Sequence, residues 1–541
     1  MTSGNADGNI PVSGQLILAL FLLVATLLTL SLPHRELYGE EGRRVMAARE
    51  MLSSGDFVLP TVSGEPYLNK PPLYPWMTAM IGFVRGEVDA IAVRIPALVA
   101  TLLTGALLFW AGVRLGLRRA GVLACFFFLL CPMVMRKASL GETDLLLTLG
   151  CTIYALEMLV LLRTGSTVSA RTSMFWMVVG LCIAFLSKGP AAVPFVIAVM
   201  IAAACTWEVG HWRRPHWWGP PLLALAISSL WLVAVFQRPE GAIALGTWSD
   251  ELTRMGSSQE WWQHRWEFIL GVLFGFFPVT LVLILKGYRG LKEMWRADPL
   301  LRGLIIATGI PALFYLLWPG VQPRYLLPAL PMICLMTARI LDVDFEMAAK
   351  ENRGVQLVSR FLQVVIAGAG LFALSVGISR AIDPQIWPAI PVAQPIAWIS
   401  MAAILFAGAF FPITDTGRGF PGSSWTRLML LLLAWAGLHC VVLMPIRGQQ
   451  RPGENLARSL EALVPEDRTL WHDLPANWNT LGQVNRQFLL LTDERKPSAG
   501  DWILTIHPES EDVGDVVAVM KLLDGSRATL GVISSGLPEE K

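Results

Sequence analysis

The first apolar segment, Leu16–Leu32, reads LILALFLLVATLLTLSL and contains no charged residue. A helix of this length can cross the hydrocarbon core of a bilayer, which is roughly 30 Å thick. Asp7 precedes it and no Lys or Arg does, unlike the basic start of a cleaved signal peptide. Leu16–Leu32 is therefore expected to remain as the first membrane span.

Apolar segments of similar length recur along the chain as far as Pro445. They predict a polytopic α-helical membrane protein with about 13 spans. The predicted spans are Leu16–Leu32, Ile95–Gly112, Ala120–Val134, Leu145–Leu162, Met174–Leu186, Ala191–Thr206, Pro221–Val235, Phe268–Leu285, Leu304–Trp318, Leu326–Leu341, Val364–Ile378, Ile396–Phe411 and Leu428–Met444. The apolar piece Leu73–Val84 is too short to span and is expected to lie in the interface or to re-enter.

The composition supports the membrane class and excludes others. Of the 541 residues, 54% are hydrophobic and 16% are charged, whereas soluble domains carry about 25% charged residues. The net charge of +2 is small, and the basic residues lie in short loops rather than on one face. A soluble protein and a nucleic-acid-binding protein are therefore both excluded.

The cysteines indicate core packing rather than chemistry, because all seven fall inside apolar segments without paired spacing. They are Cys125, Cys131, Cys151, Cys182, Cys205, Cys334 and Cys440. No His-x-x-His spacing accompanies them, so no metal site and no cofactor are predicted.

The distribution of Lys and Arg among the short loops predicts the orientation, since basic loops stay in the cytoplasm. The loops predicted inside carry Arg118, Arg119, Arg163, Arg171, Arg213, Arg214, Lys286, Arg289, Lys292, Arg296, Lys350 and Arg353. Loops 34–94, 135–144 and 237–266 then lie outside, together with the tail after Met444. In a bacterial inner membrane, outside is the periplasm, and chemistry is expected there.

The composition changes from Arg447 onward to that of a soluble α/β module. The sequence therefore predicts two domains, a membrane domain over residues 1–446 and a small α/β domain over residues 447–541. Helical spacing indicates helices at Asn455–Leu463 and Val517–Leu523. Strands are predicted at Gln487–Leu491, Trp502–Ile506 and Thr529–Ser534. The module has no evident cluster of chemical groups, which favours an accessory or acceptor-facing role.

The loop after the first span opens with Glu40-Glu41-Gly42-Arg43-Arg44 and continues as a polar-apolar helix. One interpretation is a solvated amphipathic helix stabilised by the pair of Glu40 with Arg44. The other is functional, because two carboxylates followed by two arginines can supply a general base and a phosphate clamp. Lys70 lies further along, before Pro71-Pro72, and could either bind a substrate or extend to the lipid headgroups.

Five short motifs stand in order over this loop: Glu40-Glu41, Arg43, Arg49-Glu50-Met51, Gly55-Asp56-Phe57 and Asn69-Lys70-Pro71-Pro72. In this order they resemble the bacterial GT-C membrane glycosyltransferases that include the lipid A aminoarabinose transferases and the protein O-mannosyltransferases. The resemblance covers roughly residues 15 to 345. It implies a GT-C fold for the membrane domain, and the predicted span count with an outside tail also looks like the aminoarabinose transferase branch.

Further points fit the same family order. Glu142-Thr143-Asp144 resembles its second acidic site, Leu186-Ser187-Lys188-Gly189-Pro190 its Lys-Gly turn, and Arg324-Tyr325-Leu326-Leu327-Pro328 its basic entry to a later helix. Each has a plain alternative. Asp144 could be a helix N-terminal charge, Lys188 an interfacial anchor and Arg324 a headgroup contact.

The loop 237–266 is rich in tryptophan, with Trp248, Trp261, Trp262 and Trp266. An aromatic belt at the interface explains such a cluster, and so does a sugar site, since aromatic faces suit sugar rings. The resemblance places this loop beside the donor. Arg254 and His264 are its candidate substrate-binding residues.

The resemblance implies a sugar donor linked through phosphate to a polyprenyl chain, with an inverting displacement by an acceptor. Lys70, Lys188 and Arg324 would hold the donor phosphate. Glu40 or Asp144 would orient or deprotonate the acceptor, which could be a lipid A-like glycolipid, a glycan or a protein. The family usually has Asp where this chain has Glu40, so the geometry at the acceptor would differ.

A transporter of lipid-linked glycans is the alternative, because such proteins are also polytopic. Transporters typically place charges and broken helices near the membrane midplane. Here the predicted spans are almost free of charge, which favours the enzyme.

Overall fold

A computed structural model describes residues 14–164, 167–206, 215–241 and 261–347, and with gaps residues 364–440 and 452–533. The helices α1 to α14 of the membrane domain are Gly14–Leu30, Glu41–Ser54, Leu73–Arg85, Ala90–Arg114, Arg118–Leu129, Pro132–Ala138, Asp144–Thr164, Thr167–Lys188, Val193–Thr206, Pro215–Phe236, Trp261–Gly275, Val279–Ala297, Pro299–Leu317 and Leu330–Met347. Short 3-10 helices occur at Leu32–His34, Gly189–Ala192, Pro239–Gly241 and Pro323–Ala329.

Within the described residues, six helical stretches are long and apolar enough to cross a membrane, and two bent helix pairs raise the number to at most eight. The helix Gly14–Leu30 is apolar but slightly shorter. The predicted spans Val364–Ile378, Ile396–Phe411 and Leu428–Met444 fall mostly outside the described residues. The count of about 13 spans therefore stays a prediction, whereas the multi-pass helical architecture is confirmed.

Two predicted spans are not single straight helices. Phe268–Leu285 is broken between α11 and α12, which meet at 105°, and Ala120–Val134 is broken between α5 and α6, which meet at 60°. Pro132 is the first residue of α6, and Pro278 is the residue directly before α12. Proline ends the preceding helix because it has no N–H to donate and its ring collides with the previous turn.

The long helix α7 relates the two faces of the membrane domain. It begins at Asp144, beside the loop predicted outside, and ends at Thr164 about 30 Å away. Near that far end, Arg163 Nη1 donates to the carbonyl of Leu115 at 3.5 Å. The ends that carry Arg163 and Arg118 are therefore on the face opposite Asp144, as the loop charges predict.

Small residues bring neighbouring helices of the membrane domain into close contact. A Cβ placed on Gly150 would lie 2.4 Å from the carbonyl oxygen of Gly180, so α7 and α8 touch through backbone atoms. Such contacts drive helix association in lipid, where no hydrophobic force acts between apolar surfaces.

The helix α3 (Leu73–Arg85) buries Tyr74 and Thr78 on one face. Its other face exposes Met80, Phe83 and Val84, with 60% to 80% of each residue's surface accessible. An apolar exposed face beside a set of spanning helices suits contact with lipid. The interfacial position of Leu73–Val84 stays a prediction.

The described part of the tail contains α15 (Pro452–Leu463), α16 (Trp478–Gln483) and one five-stranded sheet. Its strands are β3 (Leu470–His472), β4 (Phe488–Leu490), β5 (Trp502–Thr505), β6 (Val516–Lys521) and β7 (Arg527–Val532), in the order β4-β3-β5-β7-β6. The strand β3 pairs in parallel with β4 and β5, and the other pairs are antiparallel.

One prediction for the tail is wrong, because the segment predicted as the helix Val517–Leu523 is largely the strand Val516–Lys521. Val517 and Val519 are exposed while Met520 is buried, a burial pattern that fits a strand. β-branched valine favours this conformation. The spacing of apolar residues in this short segment fits both a helix and a strand, and the pairing with β7 determines that it is a strand.

The tail sheet packs directly on the loop that follows the first span. That loop carries α2 (Glu41–Ser54) and the small hairpin β1-β2, Thr61–Val62 with Glu65–Pro66. A single core contains Met46 and Ala47 of α2 together with Leu470, Leu481 and Phe488 of the tail. The tail and the first loop therefore lie on the same side of the membrane domain.

Candidate active site

The most deeply buried ion pair of the site joins Arg94 to Glu41. Arg94 Nε and Nη2 donate to the two carboxylate oxygens of Glu41 at 2.8 and 2.9 Å, and neither side chain has exposed surface. Glu41 also accepts from the backbone N–H groups of Tyr38 at 2.8 Å and Gly141 at 2.6 Å. A carboxylate has about four acceptor positions, so those of Glu41 are all occupied.

Arg94 fixes the chain on the other side of the pair. Its guanidinium donates to the carbonyl oxygens of Leu32, Arg35 and Glu36 at 2.6 to 2.8 Å. These carbonyls belong to the segment that leaves the first helix. The pair thus holds the start of the loop against α4, and the carboxylate of Glu41, which the sequence makes a catalytic candidate, is fully engaged in this structural contact.

Glu40 differs from its neighbour in exposure and in partners. Its side chain is 46% exposed and its carboxylate pairs with Arg43 Nη1 at 3.0 Å. The hydroxyl of Tyr67 lies 3.5 Å from Glu40 Oε2. Burial raises the pKa of Tyr67, so this hydroxyl stays protonated and can donate. Glu40 is the acidic residue of this pair that remains open to an incoming molecule.

A second group of charges lies at the start of α7 and consists of Lys137, Glu142, Asp144, Lys188 and Arg324, called here the ionic network. Lys137 pairs with Glu142 and lies 3.7 Å from Asp144. Lys188 pairs with Asp144, and Arg324 Nη1 lies 3.3 Å from Glu142. Three cations and two carboxylates give this network a formal charge of +1.

The exposure of the network is graded. The side chain of Lys137 is 3% exposed, that of Lys188 15% and that of Arg324 35%. The ring of Tyr325 lies beside the two more exposed cations, 5.1 Å from Lys188 Nζ and 5.9 Å from Arg324 Cζ. A cation over an aromatic face is attracted to the ring, so Tyr325 helps to orient both.

The loop 139–144 connects the buried pair with the ionic network. The N–H of Gly141 donates to Glu41, and its carbonyl accepts from Arg44. Gly39, the residue before Glu40, lies close to the ionic network, since a Cβ placed on it would be 3.9 Å from Glu142 Oε1. Glu40 and the network therefore border one site at the same end of the spanning helices.

The segment of Lys70 also reaches this site. A Cβ on Gly189 would be 3.6 Å from Cγ of Pro71, so Pro71 packs on the residue that follows Lys188. Lys70 itself is half-buried. The structure thus brings the segment that carries Lys70 against the turn that carries Lys188.

Comparisons with known proteins agree with this architecture. Residues 69–233 match the family profile described as dolichyl-phosphate-mannose-protein mannosyltransferase. The crystal structure of ArnT from Cupriavidus metallidurans in the apo state superposes with a TM-score of 0.71 at 18% sequence identity, covering 96% of this chain and 99% of that one. The chain has the GT-C fold of the ArnT enzymes.

The same fold is matched in the structure of that ArnT bound to undecaprenyl phosphate, with a TM-score of 0.70 at 18% identity over 98% of this chain and 100% of the other. Among curated relatives, undecaprenyl phosphate-alpha-4-amino-4-deoxy-L-arabinose arabinosyl transferase of Edwardsiella ictaluri is 26% identical over 63% of this chain. The alignment spans 62% of that relative's length.

The enzyme of the same name from Yersinia enterocolitica is 27% identical over 78% of this chain and 76% of its own. These matches confirm the resemblance to the aminoarabinose transferases and the protein O-mannosyltransferases that the motifs indicated.

Of the two candidate residues of the loop 237–266, His264 alone falls within the described residues. Arg254 lies outside them, as does Trp248. His264 lies on α11, and among the described residues no hydrogen bond or ion pair joins it to the ionic network. Its neighbours Trp262 and Trp266 are 72% and 60% exposed, as in an aromatic belt.

Sequence reasoning missed Arg94 and Lys137, and it did not single out Glu142. Both basic residues border a predicted span, with Lys137 after Ala120–Val134 and Arg94 before Ile95–Gly112. A charged residue next to an apolar span requires a partner, and this signal could have identified them. Their partners could not be identified from the sequence. Glu41 is 53 residues from Arg94, and Glu142, the partner of Lys137, belongs to a motif in which Asp144 was the candidate.

Proposed function

We propose that this chain is a glycosyltransferase that moves a sugar from a polyprenyl-phosphate donor to a cell-envelope acceptor. The proposal is supported by the names of its relatives, which are undecaprenyl phosphate-aminoarabinose arabinosyl transferases. It is also supported by an ArnT structure with undecaprenyl phosphate bound in the same fold. The acceptor is a lipid A-like glycolipid, a glycan or a protein.

The observation that carries the proposal is the excess positive charge of the ionic network. A sugar phosphodiester of a polyprenyl carries one negative charge and would neutralise the network's charge of +1. Lys188 and Arg324 are its more accessible cations, and the segment that carries Lys70 packs against the turn after Lys188. Cations fixed near the phosphate stabilise the charge that develops on it as the sugar leaves.

The transfer step is a direct displacement at the anomeric carbon. An acceptor oxygen forms a bond to that carbon, the carbon–oxygen bond to phosphate breaks, and the electron pair leaves with the polyprenyl phosphate. The configuration of the sugar is inverted. If the acceptor is a hydroxyl, its proton passes to Glu40, whereas an anionic phosphate acceptor needs no base.

Glu40 suits the acceptor side better than Asp144 does. Asp144 is 3% exposed and is enclosed by the ammonium groups of Lys137 and Lys188. The negative charge of Asp144 therefore serves to hold Lys137 and Lys188 in place. Glu40 is the more exposed carboxylate and borders the same site.

The site is proposed to face the periplasm, across a bacterial inner membrane. The loop charges predict this orientation, and the tail packs on the loop that carries Glu40. A polyprenyl-linked donor suits this compartment, where nucleotide sugars are absent. The network lies at the ends of the spanning helices rather than halfway along them, which argues against the transporter alternative.

The test is transfer in proteoliposomes that contain the full chain, undecaprenyl phosphate-4-amino-4-deoxy-L-arabinose as the donor and lipid A as the acceptor. Mass spectrometry of envelope glycolipids from cells with and without the gene identifies the sugar if this donor is not the one used. Arg163→Ala, at the opposite face, serves as the matched control for variants of the ionic network. An unchanged glycolipid profile together with no transfer would overturn the proposal.

A further inference from the structure

A short helix of the tail holds the backbone on both sides of Glu40. Asn479 lies on α16 (Trp478–Gln483), and its Nδ2 donates to the carbonyl of Gly39 at 2.9 Å. Its Oδ1 accepts from the N–H of Gly42 at 3.0 Å. One side-chain amide thus bridges the residue before Glu40 and the second residue after it.

This bridge supplies a cap that the loop does not make for itself. The first N–H groups of a helix have no acceptor within the helix. Glu40 occupies the N-cap position of α2, but its side chain makes no capping hydrogen bond and turns to Arg43 instead. Asn479 therefore caps α2 from another part of the chain and leaves the carboxylate of Glu40 available.

A contact between glycines strengthens the same junction, a term used here for the contact of Asn479 and Gly482 with residues 39–42. A Cβ placed on Gly482 would lie 2.9 Å from Cα of Gly42 and 2.9 Å from Cδ1 of Leu37. The backbone of α16 therefore touches the first turn of α2 directly. Gly39 has a φ of +62°, a conformation that suits glycine, at the point where the chain turns into Glu40.

Glu40 depends on this junction because its own partners are weak. Glu41 is fixed by a buried arginine, whereas Glu40 contacts Arg43 of the same helix and, at 3.5 Å, Tyr67. The position of its carboxylate is thus set by the backbone of residues 39–42. The tail module holds this backbone.

We propose that Asn479 and Gly482 are positioning residues that make the tail part of the active site. The inference rests on the proposed function for its effect on catalysis. The role proposed for the tail is not to bind the donor but to fix the Glu40 carboxylate relative to the ionic network. A displacement of this carboxylate by about 1 Å can lower turnover about 100-fold.

The experiment compares Asn479→Ala, which removes both hydrogen bonds, with Gly482→Ala, which keeps them but pushes the two backbones apart. The control is Ile533→Ala, since Ile533 packs with Trp471 and Ile503 on the sheet face turned away from α2. Each full-length variant is measured for kcat, for KM of the undecaprenyl phosphate-linked donor, for thermal midpoint and for hydrogen exchange of residues 38–44.

We expect both junction variants to lower kcat at least tenfold with an unchanged donor KM, and to speed exchange of the Gly42 amide. Ile533→Ala should lower the thermal midpoint and leave kcat and this exchange unchanged. Equal kcat losses in all three variants would reduce Asn479 to a folding role and overturn the inference. Full kcat in Asn479→Ala would also overturn it.

The exchange measurement separates this inference from the proposed function. If the unaltered chain transfers no sugar from this donor but Asn479→Ala speeds exchange at Gly42, the proposed function is wrong and Asn479 still positions the backbone around Glu40. If exchange at residues 38–44 is the same in every variant, the positioning role is wrong whatever the activity.

Discussion

Glu40 and Glu41 are adjacent in sequence, yet one is 46% exposed and the other has no exposed side-chain surface. The difference arises because Glu41 turns toward Arg94 and the loop 139–144, whereas Glu40 turns to the helix surface. Two identical side chains therefore lie in different environments, and we expect variants to show that their roles differ.

Glu41→Gln should reduce stability more than specific activity. It leaves Arg94 buried without its charged partner, and breaking such a pair costs about 3 to 5 kcal/mol. We expect a markedly lower thermal midpoint in detergent and a normal kcat per folded molecule. A stable Glu41→Gln protein with strongly reduced kcat would instead assign Glu41 a catalytic role.

Glu40→Gln should show the opposite behaviour. The exposed pair with Arg43 contributes little to stability, so the thermal midpoint should stay within a few degrees of the unaltered value. Turnover with a hydroxyl acceptor should fall about 100-fold, because glutamine cannot accept the proton. If Glu40→Gln is fully active and Asp144→Asn is not, Glu40 is not the base, and Asp144 is either the base or required to hold Lys137 and Lys188. If both are active, the acceptor is an anion that needs no base.

Lys188→Ala and Lys70→Ala should each lower transfer from the lipid-phosphate donor about 100-fold, since each removes a cation from the proposed phosphate site. Arg163→Ala, at the opposite face of the membrane domain, should retain activity. The measurement is initial transfer rate at saturating and limiting donor. Near-normal rates in Lys70→Ala would leave Lys70 as an interfacial anchor.

The docking of the tail on the first loop should weaken in acid. His472 Nε2 lies 3.0 Å from the hydroxyl of Ser63, and burial lowers the pKa of His472 from 6.5 to about 4. When the tail unfolds or detaches, His472 becomes free to take up a proton at its ordinary pKa. Stability is therefore complete above pH 6.5 and is lost progressively as the pH falls toward 4, by up to about 3 kcal/mol.

The check is the thermal midpoint of the full chain between pH 4 and pH 7.5. We expect the His472→Asn variant to be less stable at pH 7.5. Its thermal midpoint should depend much less on pH between pH 4 and pH 7.5. A midpoint of the unaltered chain that stays constant from pH 6.5 to 4.5 would contradict the assignment.

A reporter fused after Lys541 should be active only outside the cytoplasm, because the loop charges predict an external tail. The same reporter placed between Arg118 and Arg119 should be active only inside. The structure places the loop before Arg118 at the end of α7 opposite Asp144, and the described part of the tail packs on α2. Cytoplasmic activity of the fusion at Lys541 would invert the orientation and move the proposed site to the other face.

The sequence by itself determined the membrane class, because segments such as Leu16–Leu32 can avoid water only inside a bilayer. It also determined the family likeness, since the order from Glu40 to Pro72 is a property of the chain and requires no coordinates. Asp144, Lys188, Arg324 and Tyr325 could be proposed for the site on the same basis, and the structure brings them together.

Only the tertiary structure decided which carboxylate is buried, and that Lys137 and Glu142 complete the ionic network. It also decided that Val516–Lys521 is a strand and that Asn479 holds the backbone around Glu40. The reason is physical. Hydropathy and local spacing depend only on residues close together in the chain, whereas these features depend on partners up to 440 residues apart, which packing alone brings into contact.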